Sequence, residues 1–179
     1  MSTDFTVRPF AFMRLTHEAL RAGFADIRAA VHEGASVDAV RARYVDLARC
    51  IAVHAAQEDQ MFFPILDARF DGAVRDADLR TAHAREDALQ AAFEDALERA
   101  DRDALRVAVD AWAPSFEAHL ADEEAVMMPL TQTVADTPEG RAAVVRRIME
   151  VDWEGMKRDQ LGYVTASLAA TKPLGPVRM

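Results

Sequence analysis

Cysteine, glycine and proline are all scarce in this chain, and each shortage excludes a class of protein. A single cysteine, Cys50, cannot form an internal disulfide, which fits a reducing compartment. Seven glycines and seven prolines in 179 residues, with 51% hydrophobic residues, argue against a fibrous or disordered chain. Runs of β-branched residues are also scarce, while alanine, leucine, arginine and glutamate dominate, so the composition favours an all-α protein.

An excess of positive charge and long apolar runs are missing as well. Acidic residues outnumber basic ones by 30 to 21, and the net charge of −9 argues against a nucleic acid partner, which would need a basic surface. No run approaches the roughly 18 apolar residues of a membrane span, so we expect no membrane segment. Residues 1–12 lack a basic region followed by an apolar one, and we therefore expect no signal peptide and a cytoplasmic location.

Four stretches carry apolar residues at alternating steps of three and four, the pattern of helices that each pack one side into a core. Their first and last such residues are Met13 and Val31, Val37 and Ile65, Leu79 and Leu97, and Leu105 and Leu130. Gly34 suits the end of the first helix and Ser36 the start of the second. Pro64 is expected to kink or end the second helix, residues 67–78 to connect it to the third, and residues 101–103 to form the last turn. The pattern predicts an up-down-up-down four-helix bundle.

We expect a single domain over residues 1–179, because no shift in composition marks a boundary. The bundle takes residues 10–133. Pro138 is typical of the first position of a helix, so residues 137–170 are predicted to form one or two additional C-terminal helices. Residues 171–179 are predicted to be an irregular tail. The C-terminal helices are a possible surface for a homodimer or a protein partner.

Six polar residues interrupt the apolar stripes. They are His17, His54, Glu58, His83, His119 and Glu123. A buried ionised glutamate without a partner costs several kcal/mol, against a net stability of about 5–15 kcal/mol for a typical domain. A histidine, and not a lysine or arginine, lies one turn before each glutamate. A metal ion is the simplest cation that binds neutral imidazole and carboxylate together, so the pattern predicts a metal site.

The six residues belong to an internal repeat. The second and fourth stripes each contain histidine, glutamate, a second acid, proline and an aliphatic residue at offsets 0, 4, 5, 10 and 11, counted from His54 and from His119. Each unit has a further histidine upstream, 37 residues before His54 and 36 before His119. One such pair is common in helices, but its repetition predicts two similar helical hairpins.

The spacing places the six residues at one height in the bundle. In the first hairpin, Gly34 lies 17 residues after one histidine and Ser36 lies 18 before the other. In the second, Asp101 lies 18 residues from both histidines. Because the histidines of each antiparallel hairpin are equally far from their turn, two packed hairpins would bring four histidines and two glutamates into one layer.

The predicted layer suits two metal ions. If each glutamate bridges both ions, two histidines bind each ion and an oxide or hydroxide lies between them, then each ion has five ligands and one open position. Open positions indicate small-molecule chemistry, since structural sites are normally closed. The ligand types favour iron or manganese over zinc, which prefers tetrahedral sites.

These residues resemble the hemerythrin-like (HHE cation-binding) domain family. The resemblance covers about residues 10–133 and rests on His17, His54, Glu58, His83, His119 and Glu123. It implies two non-haem iron ions with a bridging oxo or hydroxo group in an up-down bundle. It also assigns the first two histidines to one iron and the last two to the other, with both glutamates as bridges.

The chain departs from two branches of that family. Oxygen-carrying members have a fifth histidine one turn after the first on the third helix, where this chain has Asp87. The branch linked to iron–sulfur cluster repair under stress shares the four-histidine, two-glutamate set, but it has paired N-terminal cysteines that are missing here. The resemblance implies a di-iron protein that binds or senses oxygen, nitric oxide or peroxide in a stress response. A di-iron enzyme or iron donor, and an interaction module with a structural metal site, stay open as alternatives.

Several residues near the six have their own interpretation. Glu86 and Asp87 are candidates for a further metal ligand or for a hydrogen bond to one. Asp59 and Glu124 lie one step off the apolar stripes and are expected to be surface acids. Cys50 is expected to be a buried core residue.

Overall fold

The computed structural model describes residues 11–134, 136–150 and 160–171. Every regular element within these ranges is helical, which confirms the all-α prediction. Among the same residues, no helix combines the length and the apolar character of a segment that crosses a bilayer.

The first hairpin joins α1 (Ala11–His32) to α2 (Val37–Gln57) through a tight turn. Gly34 in that turn has a φ of 81°, a left-handed conformation that glycine adopts without steric cost. Ser36 caps α2, since its hydroxyl accepts a hydrogen bond from the Ala39 backbone N–H at 3.2 Å. Both turn residues have the predicted roles.

α2 is followed by a short π-helical turn and then by a further α-helix. Residues Glu58–Phe62 form one π-helical turn, and α3 (Phe63–Arg69) follows, with Pro64 in its first turn. Proline is tolerated there because the first N–H groups of a helix have no intrahelical partner. The prediction that Pro64 kinks or ends the second helix is therefore wrong. The α-helical hydrogen-bond pattern changes at Glu58, before Pro64, and helical structure continues past Pro64 to Arg69. Single π turns are frequent at functional sites, and this one contains Glu58.

The predicted connection over residues 67–78 is partly helical. Its start belongs to α3, and a short helix, α4 (Ala73–Asp76), lies within it. Asp67 accepts hydrogen bonds from the backbone N–H groups of Val74 and Arg75, at 2.9 and 3.1 Å. These N–H groups belong to the first turn of α4 and have no helical partner, so Asp67 fixes α4 against α3.

The second hairpin consists of α5 (Leu79–Glu98) and α6 (Arg102–Val134). Its turn is residues 99–101, two residues earlier than the predicted 101–103, because Asp101 already caps α6 by accepting a hydrogen bond from the Ala104 N–H at 2.9 Å. α6 continues through both of its internal prolines. It packs against α5 and α1, and α1 packs against α2, which gives the predicted four-helix bundle.

Two C-terminal helices follow the bundle in the described residues, α7 (Pro138–Glu150) and α8 (Leu161–Thr171). α7 begins at a proline, as predicted, and α8 packs against α1 and α2. Close approach of α8 to α1 depends on Gly23, because a Cβ there would collide with the hydroxyl of Tyr163. Of the predicted tail, residues 172–179 lie outside the described residues.

Two separate apolar clusters fill the bundle. The cluster nearer the two hairpin turns includes Leu20, Phe24, Leu47, Phe93, Trp112 and Leu120. The cluster at the opposite end includes Met13, Met61, Phe63, Leu66, Leu79 and Met127. Burial of each such side chain stabilises the fold by about 1.5–3 kcal/mol. On α1 the polar residue His17 lies between the clusters, after Met13 and before Leu20, and the other five polar residues hold the equivalent place on their helices.

Candidate metal centre

The six polar residues come together in one buried layer between the apolar clusters. α1 supplies His17, and α2 with the π turn that follows it supplies His54 and Glu58. α5 supplies His83, and α6 supplies His119 and Glu123. No side chain among them is more than 11% exposed. The structure thus places them at a common height, as their equal distances from the hairpin turns predict.

The donor atoms of this layer form two groups that share both glutamates. The first group contains His17 and His54 with Glu58 and Glu123, and the second contains His83 and His119 with the same two glutamates. Within each group the candidate ligand atoms all lie within 4.8 Å of one another. Each group thus has the donors and the dimensions of a site for one metal ion.

Each shared carboxylate directs one oxygen toward each group. Glu123 Oε2 lies 3.5 Å from Nε2 of His17, and Glu123 Oε1 lies 3.0 Å from Nε2 of His119. The oxygens of Glu58 are arranged in the same way: Oε1 lies 3.5 Å from Nε2 of His54, and Oε2 lies 3.3 Å from Nε2 of His83. A carboxylate in this position can bind two neighbouring cations at once, one through each oxygen.

Although imidazole nitrogens lie 3.0–3.5 Å from carboxylate oxygens, most of the inward polar atoms make no hydrogen bond of good geometry among the described residues. They include Nε2 of His17 and His54 and all four carboxylate oxygens of Glu58 and Glu123. Buried polar atoms are nearly always hydrogen-bonded, and an unpaired buried carboxylate costs several kcal/mol. Imidazole nitrogens and carboxylate oxygens are the donors that iron, manganese and zinc bind, so the residues present fit a metal pair.

The protonation of the layer without a metal ion differs between the two groups. Burial lowers the pKa of His17, and it lowers the pKa of His54 to about 3. Burial also acts to lower the pKa of His83, but the carboxylates of Glu123 and Glu58 outweigh that effect and raise it to about 10. Burial raises the pKa of Glu58, and the neighbouring Glu123 raises it further. The first group therefore offers neutral imidazoles near pH 7, whereas His83 must lose a proton before it can bind a metal ion.

The two acids that follow the shared glutamates contact histidines of the opposite hairpin. Glu124 Oε1 is hydrogen-bonded to Nδ1 of His17 at 3.1 Å, whereas Asp59 Oδ2 lies 3.3 Å from Nδ1 of His83 without the geometry of a hydrogen bond. Both side chains are partly exposed, as expected of surface acids, but their contacts with the histidines were not predicted. An acid at Nδ1 holds the ring so that Nε2 faces the site, and it makes the imidazole a stronger donor to a metal. The signal was present in the repeat, because both acids occupy offset 5.

Glu86 and Asp87, the candidates for a further ligand, lie outside both groups. Glu86 is 8% exposed, and both of its oxygens accept hydrogen bonds, Oε2 from Trp112 Nε1 and Oε1 from the Ser115 hydroxyl. Asp87 is exposed. Cys50 is buried, as expected of a core residue.

A cavity of about 70 Å³ adjoins the histidine layer. The imidazoles of His54, His83 and His119 line it. Its apolar wall consists of Leu20, Ile51, Ala55, Trp112, Phe116 and Leu120. Its polar wall consists of Asp59, Glu86, Asp87 and Gln90. A single water needs about 10–15 Å³, so there is space for a few small molecules. Pockets that bind drug-sized ligands measure about 300–1,000 Å³, so this cavity suits much smaller molecules.

Comparison with known proteins identifies the family. The sequence model of the hemerythrin HHE cation binding domain matches residues 8–131, more than half of the chain. Searches of curated proteins and of solved structures gave no match. The resemblance drawn from the repeated histidines and glutamates is thereby confirmed. This chain belongs to the hemerythrin HHE cation-binding domain family, whose members are helical domains that bind metal cations.

Proposed function

We propose that the six buried residues hold two iron ions, one in each group, and that the pair binds or senses a small molecule such as oxygen, nitric oxide or peroxide. The observation that carries this proposal is the orientation of Glu58 and Glu123. Each has one oxygen toward His17 and His54 and the other toward the second pair of histidines. Six residues that served as hydrogen-bonded core polar groups would not leave these oxygens without partners.

The number of donors favours iron over zinc for a reactive site. Each group offers two imidazoles and one oxygen from each glutamate, four protein donors in all. Four donors complete the tetrahedral shell that zinc prefers, but iron takes more ligands and would keep positions for a small molecule. Iron bound here would supply redox chemistry and exchangeable coordination positions beside the cavity.

The protein's own side chains then have separable tasks. Glu124 holds the His17 ring with Nε2 directed inward through a hydrogen bond, and Asp59 lies close enough to His83 Nδ1 to stabilise the charge of that ring. The apolar wall, with Trp112 and Phe116, limits water beside the histidines. The size of the cavity restricts entry to small molecules. A homodimer or a protein partner at the C-terminal helices, and a role in stress response, stay predictions.

A structural metal site is the second candidate, because four donors per group would satisfy zinc without any open position. A di-iron enzyme that reduces peroxide, or an iron donor, would use the same residues as the sensor and differs in turnover. These functions are distinguished by what the loaded protein does with small molecules, and not by the ligand set.

Stopped-flow absorption of the anaerobically loaded ferrous protein tests the proposal. We expect a stable spectral change with nitric oxide or oxygen, and full recovery of the starting spectrum when the gas is removed. Repeated rapid consumption of hydrogen peroxide would favour the enzyme, and progressive loss of iron would favour the donor. A loaded protein that responds to none of the three molecules would support the structural metal site and contradict the proposal.

A further inference from the structure

Glu86 is the buried carboxylate among the described residues of the cavity wall, and both of its oxygens accept hydrogen bonds. Glu86 accepts a hydrogen bond from Trp112 Nε1 and another from the Ser115 hydroxyl, both at 2.5 Å. Ser115 itself accepts a hydrogen bond from Nε of Arg85 at 3.1 Å, so its own proton is directed to Glu86. An ionised carboxylate only accepts hydrogen bonds, whereas a protonated carboxyl group also donates one. Because both oxygens of Glu86 accept a hydrogen bond from a neighbouring N–H or O–H group, its hydrogen bonds match the ionised form.

No cation of the described cavity lining pairs directly with Glu86. Arg85 reaches it only through Ser115 and does not line the cavity, and His83 pairs with Glu58 and Glu123 at 3.3 and 3.4 Å. Asp59 and Asp87 also line the cavity, and among the described residues that line it there is no lysine or arginine. Asp59 is paired with Arg80, and Asp87 is exposed, so solvent screens both charges. Glu86 is only 8% exposed, and a buried charge acts through a lower effective dielectric constant.

We propose that Glu86 determines the charge selectivity of the cavity and admits uncharged small molecules in preference to anions. Oxygen, nitric oxide and hydrogen peroxide belong to the admitted class, whereas azide, nitrite and superoxide are repelled. This inference rests on the proposed function, since it assigns a class of ligand to that same site. Glu86 acts here through its charge on the space next to the metal ligands and is not itself a metal ligand.

Azide affinity of the iron-loaded, oxidised protein gives the first test. The Glu86→Gln variant keeps the size of the side chain and removes its charge, so azide should bind about tenfold or more tightly than to the unmodified protein. Asp87→Asn is the matched control, a neutralised acid of the same cavity that is exposed, and it should change azide affinity by less than about threefold. Nitric oxide affinity of the ferrous protein should stay within about threefold in both variants, because the ligand is uncharged. Equal changes for azide and nitric oxide, or no change for azide, would overturn the proposal.

Fluorescence quenching of Trp112 gives a second test that needs no metal. The Trp153→Phe variant leaves Trp112 as the single tryptophan, and it is used without metal. The quenching constant of caesium for Trp112 should exceed that of iodide by about threefold or more, after each is normalised to its value for free N-acetyltryptophanamide. Glu86→Gln should remove most of that difference and leave oxygen quenching unchanged. Equal quenching by iodide and caesium in the unmodified protein would contradict the inference even if the variant does not fold. Failure to load iron would instead contradict the proposed function and leave this test intact.

Discussion

The two halves of the metal layer come from one repeated motif, yet their surroundings differ. His17 in the first half is fully buried, and its partner Glu124 is 32% exposed. His83 in the second half is 11% exposed, and its partner Asp59 is 42% exposed. Of the two equivalent histidines, His17 is therefore sealed from solvent and His83 is closer to it, although both belong to the same repeated motif.

The arginines that hold the two acids show the same contrast. Arg21 donates to Glu124 and also pairs with Glu117, so two acids fix its side chain. Arg80 pairs with Asp59 at 3.0 Å, and both of these side chains are more than 40% exposed. Surface ion pairs contribute about 0–1 kcal/mol, so Arg80 is the weaker support.

The cavity also distinguishes the halves. Both histidines of the second half line it, but His17 of the first half does not. The motif thus determines which residues face the layer, whereas the neighbouring helices determine how firmly each half is enclosed and from which side a small molecule arrives. We infer that the first half mainly retains its ion and that the second half is more accessible.

Neutralising a shared glutamate should affect both halves at once and have the largest effect. Glu123→Gln replaces one of the two oxygens by an NH2 group that cannot bind a cation and removes the negative charge. The side chain can then no longer bridge, so iron should fall from about two per chain to less than about one. Glu58→Gln should do the same. Elemental analysis measures the change, and Glu98→Gln, at an exposed position of α5, is the control. Full iron content in both layer variants would refute the bridging assignment.

Removal of the metal should destabilise the protein and loosen its two halves unequally. Binding to the folded state alone adds about 4 kcal/mol when free metal is a thousand times its dissociation constant, so chelation should lower Tm clearly. Amide hydrogen exchange should increase more around His83 and Asp59 than around His17, because the second half is less buried. An unchanged Tm, or equal increases in both halves, would contradict the comparison.

Neutralising the outer acids should have a smaller, graded effect. Glu124→Gln and Asp59→Asn should each weaken metal binding about 10- to 100-fold, since outer partners of metal-binding histidines have effects of that size. The loss should be larger for Glu124, because it is less exposed. Competition with a coloured chelator measures the affinities. Glu117→Gln is the control, since Glu117 shares Arg21 with Glu124, whereas the acid hydrogen-bonded to His17 Nδ1 is Glu124. A larger loss at Asp59 would reverse the predicted order.

Proton release during metal binding should come from the second half alone. The pKa of His83 is raised to about 10, so this imidazole is protonated at pH 7 and must lose its proton. His17 and His54 have lowered pKa values and are already neutral. Metal affinity should thus increase as pH rises toward 10, with about one histidine proton released per chain at pH 7. An indicator dye in weak buffer measures the release, and no release would show that the two halves titrate alike.

The fold and the layer could be predicted from the sequence because both depend on regular spacing. Apolar steps of three and four place His17 and His54 on inner faces, and equal distances from Gly34 and Ser36 bring them to one height. The π turn at Glu58 could not be predicted, since a shift from one backbone hydrogen-bond pattern to another is not a property of any residue type.

The outer contacts were missed for a different reason. Asp59 and Glu124 point away from the core of their own hairpin, and only the packing of one hairpin against the other brings them to His83 and His17. Periodicity within one helix carries no information about that packing. Glu86 was on the predicted inner face, but its donors come from α6, so its hydrogen bonds depend on the pairing of α5 with α6.

Anaerobic titration of the metal-free protein with ferrous iron tests the central claim most directly. We predict saturation at about two ions per chain, and at less than about one in Glu123→Gln, because both ions share that carboxylate. Saturation at one ion, or equal saturation in the variant, would show that the two groups do not form a bridged pair.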